Sequence, residues 1–244
     1  MKFGLFTIVP WHESVTQEQA LRDAMEQIEL ADQLGLDEVW LGEHRFSRHG
    51  LLSGIFTFLG QVAARTKHVR IGTAVIVLPL HNPILVAEEV AMLDVLSGGR
   101  LNLGIGSGYQ RQEFEGLGID MEESRERFAE AVEVMTRAWT EETLTYHGKF
   151  TNVDDLLVMP KPLQKPHPPI LIGGHGETYL FRAVARFADI CNVGFEMRLE
   201  EHKSKLNTLA QYCRRYGRDP SEIQVTHNTR VVIAENSDQF DRLS

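Results

Sequence analysis

Apolar runs alternate with stretches of helical period along all 244 residues of the chain. Strands are predicted at Lys2–Val9, Glu38–Glu43, Val69–Leu78, Leu101–Gly106, Ile170–Gly173, Ile190–Gly194 and Gln224–Ile233. Several are apolar over most of their length rather than alternating, the pattern of parallel strands covered on both faces. The first helix is the best marked. Thr16 and Gln19 form a capping-box pattern, Leu21, Met25, Ile28, Ala31 and Leu34 make one stripe, and Gly35 supplies a left-handed stop. A second stripe is Phe128, Ala131, Val132, Met135, Ala138 and Trp139, and another helix is predicted over Tyr179–Ala188. This repetition predicts an α/β fold with a parallel sheet, either doubly wound or closed as a TIM (β/α)8-type barrel.

Between the fourth and fifth strands lies an insertion, Ser107 to Pro169, holding a long helix and an exit rich in proline (Pro160, Pro162, Pro166, Pro168, Pro169). Proline there prevents strand pairing and delivers an extended chain to the next strand. A closed eight-stranded barrel calls for one more helix and strand after Ile233. The expectation is therefore a single domain over residues 1–244, with about seven strands and two unpaired edges.

Charge narrows the partners. There are 25 basic and 34 acidic residues, a formal net charge of -9, scattered rather than in blocks. No basic stripe appears, which argues against nucleic acid, and an anionic surface argues against acidic membranes. The apolar start MKFGLFTIVP is shorter than a typical signal segment, and no run of about 20 apolar residues occurs. Cys191 and Cys213 are too few for a disulfide framework or a zinc site, so a cytoplasmic setting is expected.

In parallel barrels functional residues sit at the carboxyl ends of strands. Those ends are Thr7, Glu43-His44-Arg45, Ala74-Val75, Gly106-Ser107, Gly173-Gly174-His175, Asn192 and Asn228. They hold no lysine for a Schiff base, no clear carboxylate pair for glycoside hydrolysis and no metal-ligand set. Gly104, Gly106 and Gly108 remove side-chain bulk from a strand end, as a flat ligand lying against backbone requires. His44 is the residue best suited to move a proton near neutral pH, against the plainer reading of one structural hydrogen bond at the rim. Glu43 points to the opposite side of the strand and suits a structural role. The turn Gly173-Gly174-His175-Gly176-Glu177-Thr178 opens a helix, where backbone amides bind phosphate, although any short strand-to-helix turn uses glycine. Arg125 stands in the first turn of a helix, where a cation is unfavourable unless an anion offsets it; Glu122, Glu123 and Glu126 are alternative partners. Arg100, near Asp94 and Glu88, reads as part of a structural ion network.

The segments EVWLGEHRF, RIGTAVIVLPLHNPILVAEEVAMLD, LSGGRLNLGIGSGYQRQEF, GLGID followed by ESR, and KPLQKPHPPILIGG together resemble the bacterial luciferase-like flavin monooxygenases. The resemblance runs over essentially the whole chain. It implies a TIM barrel with an insertion, and FMN arriving in reduced form from a separate flavin reductase. It places the FMN phosphate at Arg125, Gly174, His175, Glu177 and Thr178 and the isoalloxazine near Ala74, Val75, Gly106 and Ser107, with Gly173 also among the FMN-binding residues. A non-proline cis peptide is expected at Ala74–Val75, and His44 matches the active-site histidine. The implied reaction is oxidation of a small organic substrate by molecular oxygen, with His44 handling the proton in a dry pocket. Members commonly form homodimers. Arg45 and Gly106 stand where the light-emitting subunit has a second histidine and a cysteine, which argues against bioluminescence and leaves Arg45 as a possible contact for an anionic substrate. Competing readings are a deazaflavin-dependent oxidoreductase transferring hydride on the same barrel, a non-catalytic flavin-binding protein, and a fragment that does not fold alone.

Overall fold

The computed structural model describes residues 1–174, 176–195, 197–237 and 240, the side chains of Glu177 and Phe195 excepted. In chain order the elements are β1 (Gly4–Thr7), α1 (Gln17–Gln33), β2 (Glu38–Leu41), α2 (Ile55–Arg65), β3 (Arg70–Thr73), β4 (Ile76–Val77), α3 (Pro83–Leu96) and β5 (Leu101–Gly106). Then follow α4 (Arg111–Gly116), α5 (Ser124–Thr140), β6 (Leu144–His147), β7 (Asn152–Leu156), β8 (Ile170–Gly173), α6 (Glu177–Phe187), β9 (Ile190–Phe195), α7 (Leu199–Arg215) and β10 (Gln224–Asn228).

The main sheet runs β1-β2-β3-β5-β8-β9-β10, with β4 beside β5 and every pairing parallel. It curls into a nearly closed TIM-type barrel of seven staves, β3 and β4 being two halves of one. Among the described residues β1 and β10 are its edges.

The expected third strand, Val69–Leu78, is interrupted. The Ala74–Val75 peptide is cis; β3 ends before it and β4 resumes beyond it. The expected last strand, Gln224–Ile233, stops at Asn228, because β9 offers register partners only as far as Phe195. Helix α1 follows its signals. Thr16 Oγ1 accepts from the Gln19 amide at 3.1 Å, and Gly35 takes a φ of 78°. Leu34 departs from the expected stripe: it lies past the last helical turn and is 70 % exposed.

The second stripe is buried throughout and packs α5 onto α3, with Trp139 Nε1 donating to the Ala87 carbonyl at 2.9 Å. Helix α5 therefore belongs to the regular helical layer. The extra matter between β5 and β8 is α4 and an antiparallel hairpin, β6–β7. That hairpin escapes a reading by alternation because its strands are short and β7 is mostly exposed. Glu130 of α5 holds its turn by accepting from the amides of Lys149, Phe150 and Thr151.

Two apolar clusters result. The large one lies between sheet and helices; a small one inside the barrel holds Trp40, Leu171 and Ile190, with Ala74 and Val75 packed on it. Arg100 is structural, but without the expected carboxylates. It donates to the carbonyls of Ala63, Thr66, Val69 and Ser97 and to Thr66 Oγ1, tying α2 to the start of β5. Asp94 is taken instead by Gln164. Cys191 and Cys213 are free and buried, and burial, with Cys213 nearby, pushes the Cys191 thiol up to about 12.

Candidate active site

The carboxyl rim gathers three groups of side chains. The first is built where β2 ends. Glu43 is buried, and its carboxylate accepts from the Val77 amide at 2.9 Å, from Arg45 Nη2 at 2.6 Å and from His81 Nε2 at 2.9 Å. Burial acts to raise its pKa, but His81, the Val77 amide and Arg45 outweigh it and hold the carboxyl below its ordinary value. Glu43 thus ties the end of β2 to β4 and to His81 beyond it. Arg45 Nε and Nη2 both donate to Glu43 Oε1, at 3.0 and 2.6 Å.

His44 turns the other way. It is 9 % exposed, and two partners meet its Nδ1: Gln110 Nε2 at 2.9 Å and Glu113 Oε1 at 3.2 Å. Gln110 donates when Nδ1 is bare, and Glu113 accepts when Nδ1 carries a proton. Glu113 is buried on α4 and also accepts from the Arg45 amide at 2.9 Å. The His49 ring lies 4.5 Å from that of His44, centroid to centroid, and Tyr109 stands edge-on at 6.2 Å. Sequence reasoning missed Glu113. Nothing local separates it from Glu115, which is exposed on the same short helix.

The second group is Ala74–Val75, Gly106, Ser107 and Gly173. A Cβ at Gly106 would lie 2.7 Å from Val75 Cγ2, and one at Gly173 would lie 3.5 Å from Val75 Cγ1. At Gly106 the missing side chain makes room for Val75, whereas a Cβ at Gly173 would make only an ordinary contact. A methyl at Gly104 would overlap the Thr73 carbonyl oxygen, and at Gly108 it would meet Val77 and Phe114. The exposed strand-end surface here is Val75 itself, half-buried over the inner cluster, with Ser107 half-buried beside it.

The third group surrounds the start of α6. Arg125, exposed on the first turn of α5, lays its guanidinium over the Tyr179 ring at 4.0 Å, which joins the two helix starts. Among the described residues Arg125 makes no ion pair with Glu122, Glu123 or Glu126; Glu123 goes to Arg127 and Lys149, and Glu126 to Lys149. Gly174 and Gly176 have positive φ, nothing lies within 4 Å of a Cβ built on Gly176, and no side chain caps α6. Thr178 is exposed in its first turn. His175 and the side chain of Glu177 lie outside the described residues. At the neighbouring strand ends Asn192 Nδ2 donates to Thr226 Oγ1 at 3.0 Å, whereas Asn228 Oδ1 is buried without a hydrogen-bond partner.

A cleft of about 300 Å³ lies elsewhere, between α3, α5 and the hairpin turn, and His44, Val75 and Arg125 do not line it. Among the described residues no three His, Cys, Asp or Glu side chains gather as a metal site, and no helix is long and apolar enough to cross a membrane.

The family model described as luciferase-like monooxygenase matches residues 1–244. The chain belongs to this family. Among solved structures, the luciferase-like chain is similar to a monooxygenase from Streptomyces bottropensis, with 30 % identity and a TM-score of 0.90, covering 100 % of this chain and 75 % of that one. It is 28 % identical over 243 residues to the oxygenase component of a flavin-dependent trigonelline monooxygenase from Acinetobacter baylyi, covering 98 % of this chain and 67 % of that protein. It is also 34 % identical over 217 residues to an F420-dependent glucose-6-phosphate dehydrogenase from Kineococcus radiotolerans, covering 86 % and 63 %. The chain spans about half to two thirds of the length of the curated relatives it matches.

Proposed function

We propose that this luciferase-like chain binds FMN along the strand-end rim and uses its reduced form with molecular oxygen to oxidise a small organic substrate. The observation that carries the reading is the meeting of Arg125 with the uncapped, glycine-opened start of α6. Amide donors, the positive end of a helix dipole and a guanidinium are what a phosphate monoester needs. The rest of the rim fits the ring system. Val75 offers an apolar face, and the orphan Asn228 acceptor suits a ligand that carries ring N–H groups.

Reduced FMN, when bound, supplies the electrons that activate oxygen. The chain's own part is to hold the phosphate at Arg125 and Gly174–Thr178, to rest the ring on Val75, and to manage a proton at His44. When Nδ1 of His44 carries its proton Glu113 accepts it, and Nε2 is then the exchanging atom. Electron supply by a separate reductase follows the name of the Acinetobacter relative as an oxygenase component. The dehydrogenase relative keeps a deazaflavin as the second reading; parallel titrations with FMN and the deazaflavin separate them.

Arg125→Ala tests the phosphate site. Affinity for FMN is expected to fall about 10- to 100-fold, the worth of a charge-assisted contact. Riboflavin, which lacks the phosphate, is expected to bind parent and variant alike. Equal loss for both ligands in a fluorescence titration overturns the assignment.

We also place the homodimer contact on α3. This helix is apolar nearly all round, and its outer face leaves Leu85, Met92 and Leu96 exposed by 57 %, 49 % and 67 %. Spacings of seven and four residues make a stripe that two copies can share across a twofold axis. The Met92→Glu, Leu96→Glu double variant is expected to sediment as a folded monomer where the parent sediments as a dimer. A parent that is monomeric at micromolar concentration rules the contact out.

A further inference from the structure

We propose that His49 is the proton relay between bulk solvent and the buried His44. The inference rests on the role of His44 proposed above. His44 is 9 % exposed and enclosed by Glu113, Gln110 and Tyr109. A proton taken up or released during turnover must still exchange with water. His49 is exposed, and its ring lies against His44 at 4.5 Å with a tilt of 58°. At that separation the two rings are in contact, and the proposed proton path between their nitrogens runs through one bridging water.

The loop is built to keep His49 there. The Trp11 amide donates to the Arg48 carbonyl at 3.2 Å, and the Leu51 amide donates to the Val9 carbonyl at 3.0 Å. Between them the His49 amide donates to Ser47 Oγ at 3.3 Å. A Cβ on Gly50 would lie 2.6 Å from the Ile8 carbonyl oxygen and 3.3 Å from His44 Cβ, so only glycine lets the chain press this close to the end of β1. Both flanks of His49 are thereby fastened to the segment that leaves β1.

The charged neighbours favour a relay over a store. The groups acting on His49 are His44 at the end of β2 and Glu113 on α4. Burial and then the His44 imidazole lower the pKa of His49, and Glu113 opposes them. His49 is thus neutral near pH 7 and free to accept. The step moves one proton and no electrons: the N–H bond on His44 breaks, one forms on His49, and His49 then releases its proton to water or buffer.

Two readouts test this. In the first, His49→Phe keeps a ring against His44 but cannot carry a proton. Its turnover at low buffer concentration is expected to fall about tenfold and to recover as imidazole is added. Turnover equal to the parent's, or a loss that imidazole does not restore, overturns the relay. In the second, imidazole NMR of the flavin-free protein follows His49 directly and needs no oxygenase activity. His49 is expected to titrate below its ordinary value, and to move up in His44→Phe or, should that variant not fold, His44→Gln. An unmoved His49 overturns the coupling. If the parent shows no turnover at all, the function is at fault, and the NMR arm still decides whether the pair is coupled.

Discussion

His44→Ala is expected to lower flavin-dependent oxidation by about 100- to 10 000-fold while leaving FMN affinity within about twofold. The magnitude is that of removing a positioned acid or base. The separation of the two effects follows from the geometry. His44 meets Glu113, Gln110, His49 and Tyr109, whereas the proposed phosphate cradle is built from α5 and α6. Losing the imidazole leaves Glu113 still accepting from the Arg45 amide, so the local fold keeps one of its ties. The measurement is substrate-dependent incorporation of labelled oxygen, with a reductase supplying reduced FMN, beside a flavin titration of the same preparation. If the variant turns over as fast as the parent, His44 is a rim histidine with a structural hydrogen bond and nothing more.

Gly104→Ala is expected to cost about 3–5 kcal/mol of stability, the scale of overpacking combined with broken buried hydrogen bonds. The added methyl would overlap the Thr73 carbonyl oxygen, which is backbone and cannot rotate aside. The same two residues are joined by buried hydrogen bonds: Thr73 Oγ1 donates to the Gly104 carbonyl and accepts from the Gly104 amide, each at 2.7 Å. Forcing β3 from β5 breaks both contacts and disturbs Ala74–Val75 on the next residues. Natural domains hold only about 5–15 kcal/mol, so the variant should melt far below the parent or fail to accumulate. Val77→Ala, which removes two methyl-sized groups from a buried position near the same strand end, is the control and should cost markedly less. A Gly104→Ala melting temperature within a few degrees of the parent's would mean that β3 and β5 do not approach as described.

These two sites also show where a reading by pattern succeeds. Phe128, Ala131, Val132, Met135, Ala138 and Trp139 recur at helical spacing and are all buried, since spacing alone decides which helix face turns to the core. The strand ends were equally legible, because a parallel α/β repeat orders them along one rim. The glycines of β5 were legible as close approach but not as to what approaches. A glycine code for missing bulk is the same whether a ligand or Val75 occupies the space. Arg100 misled in the same manner: its charge is visible in the chain, but its partners, a set of carbonyls, are chosen by the fold.

The alternation of apolar strands and amphipathic helices, with its capped first helix, was enough by itself to determine a parallel α/β sheet and the order of its strand ends, while leaving a doubly wound sheet and a closed barrel both open. Periodicity acts over a few residues, and a local signal suffices to place a local element. Only the tertiary structure decided that Glu113 and His49 flank His44, 69 and five residues along the chain from it, and that Arg125 meets the start of α6. Such meetings come from how helices and loops return over the barrel, and no repeat in the sequence records them.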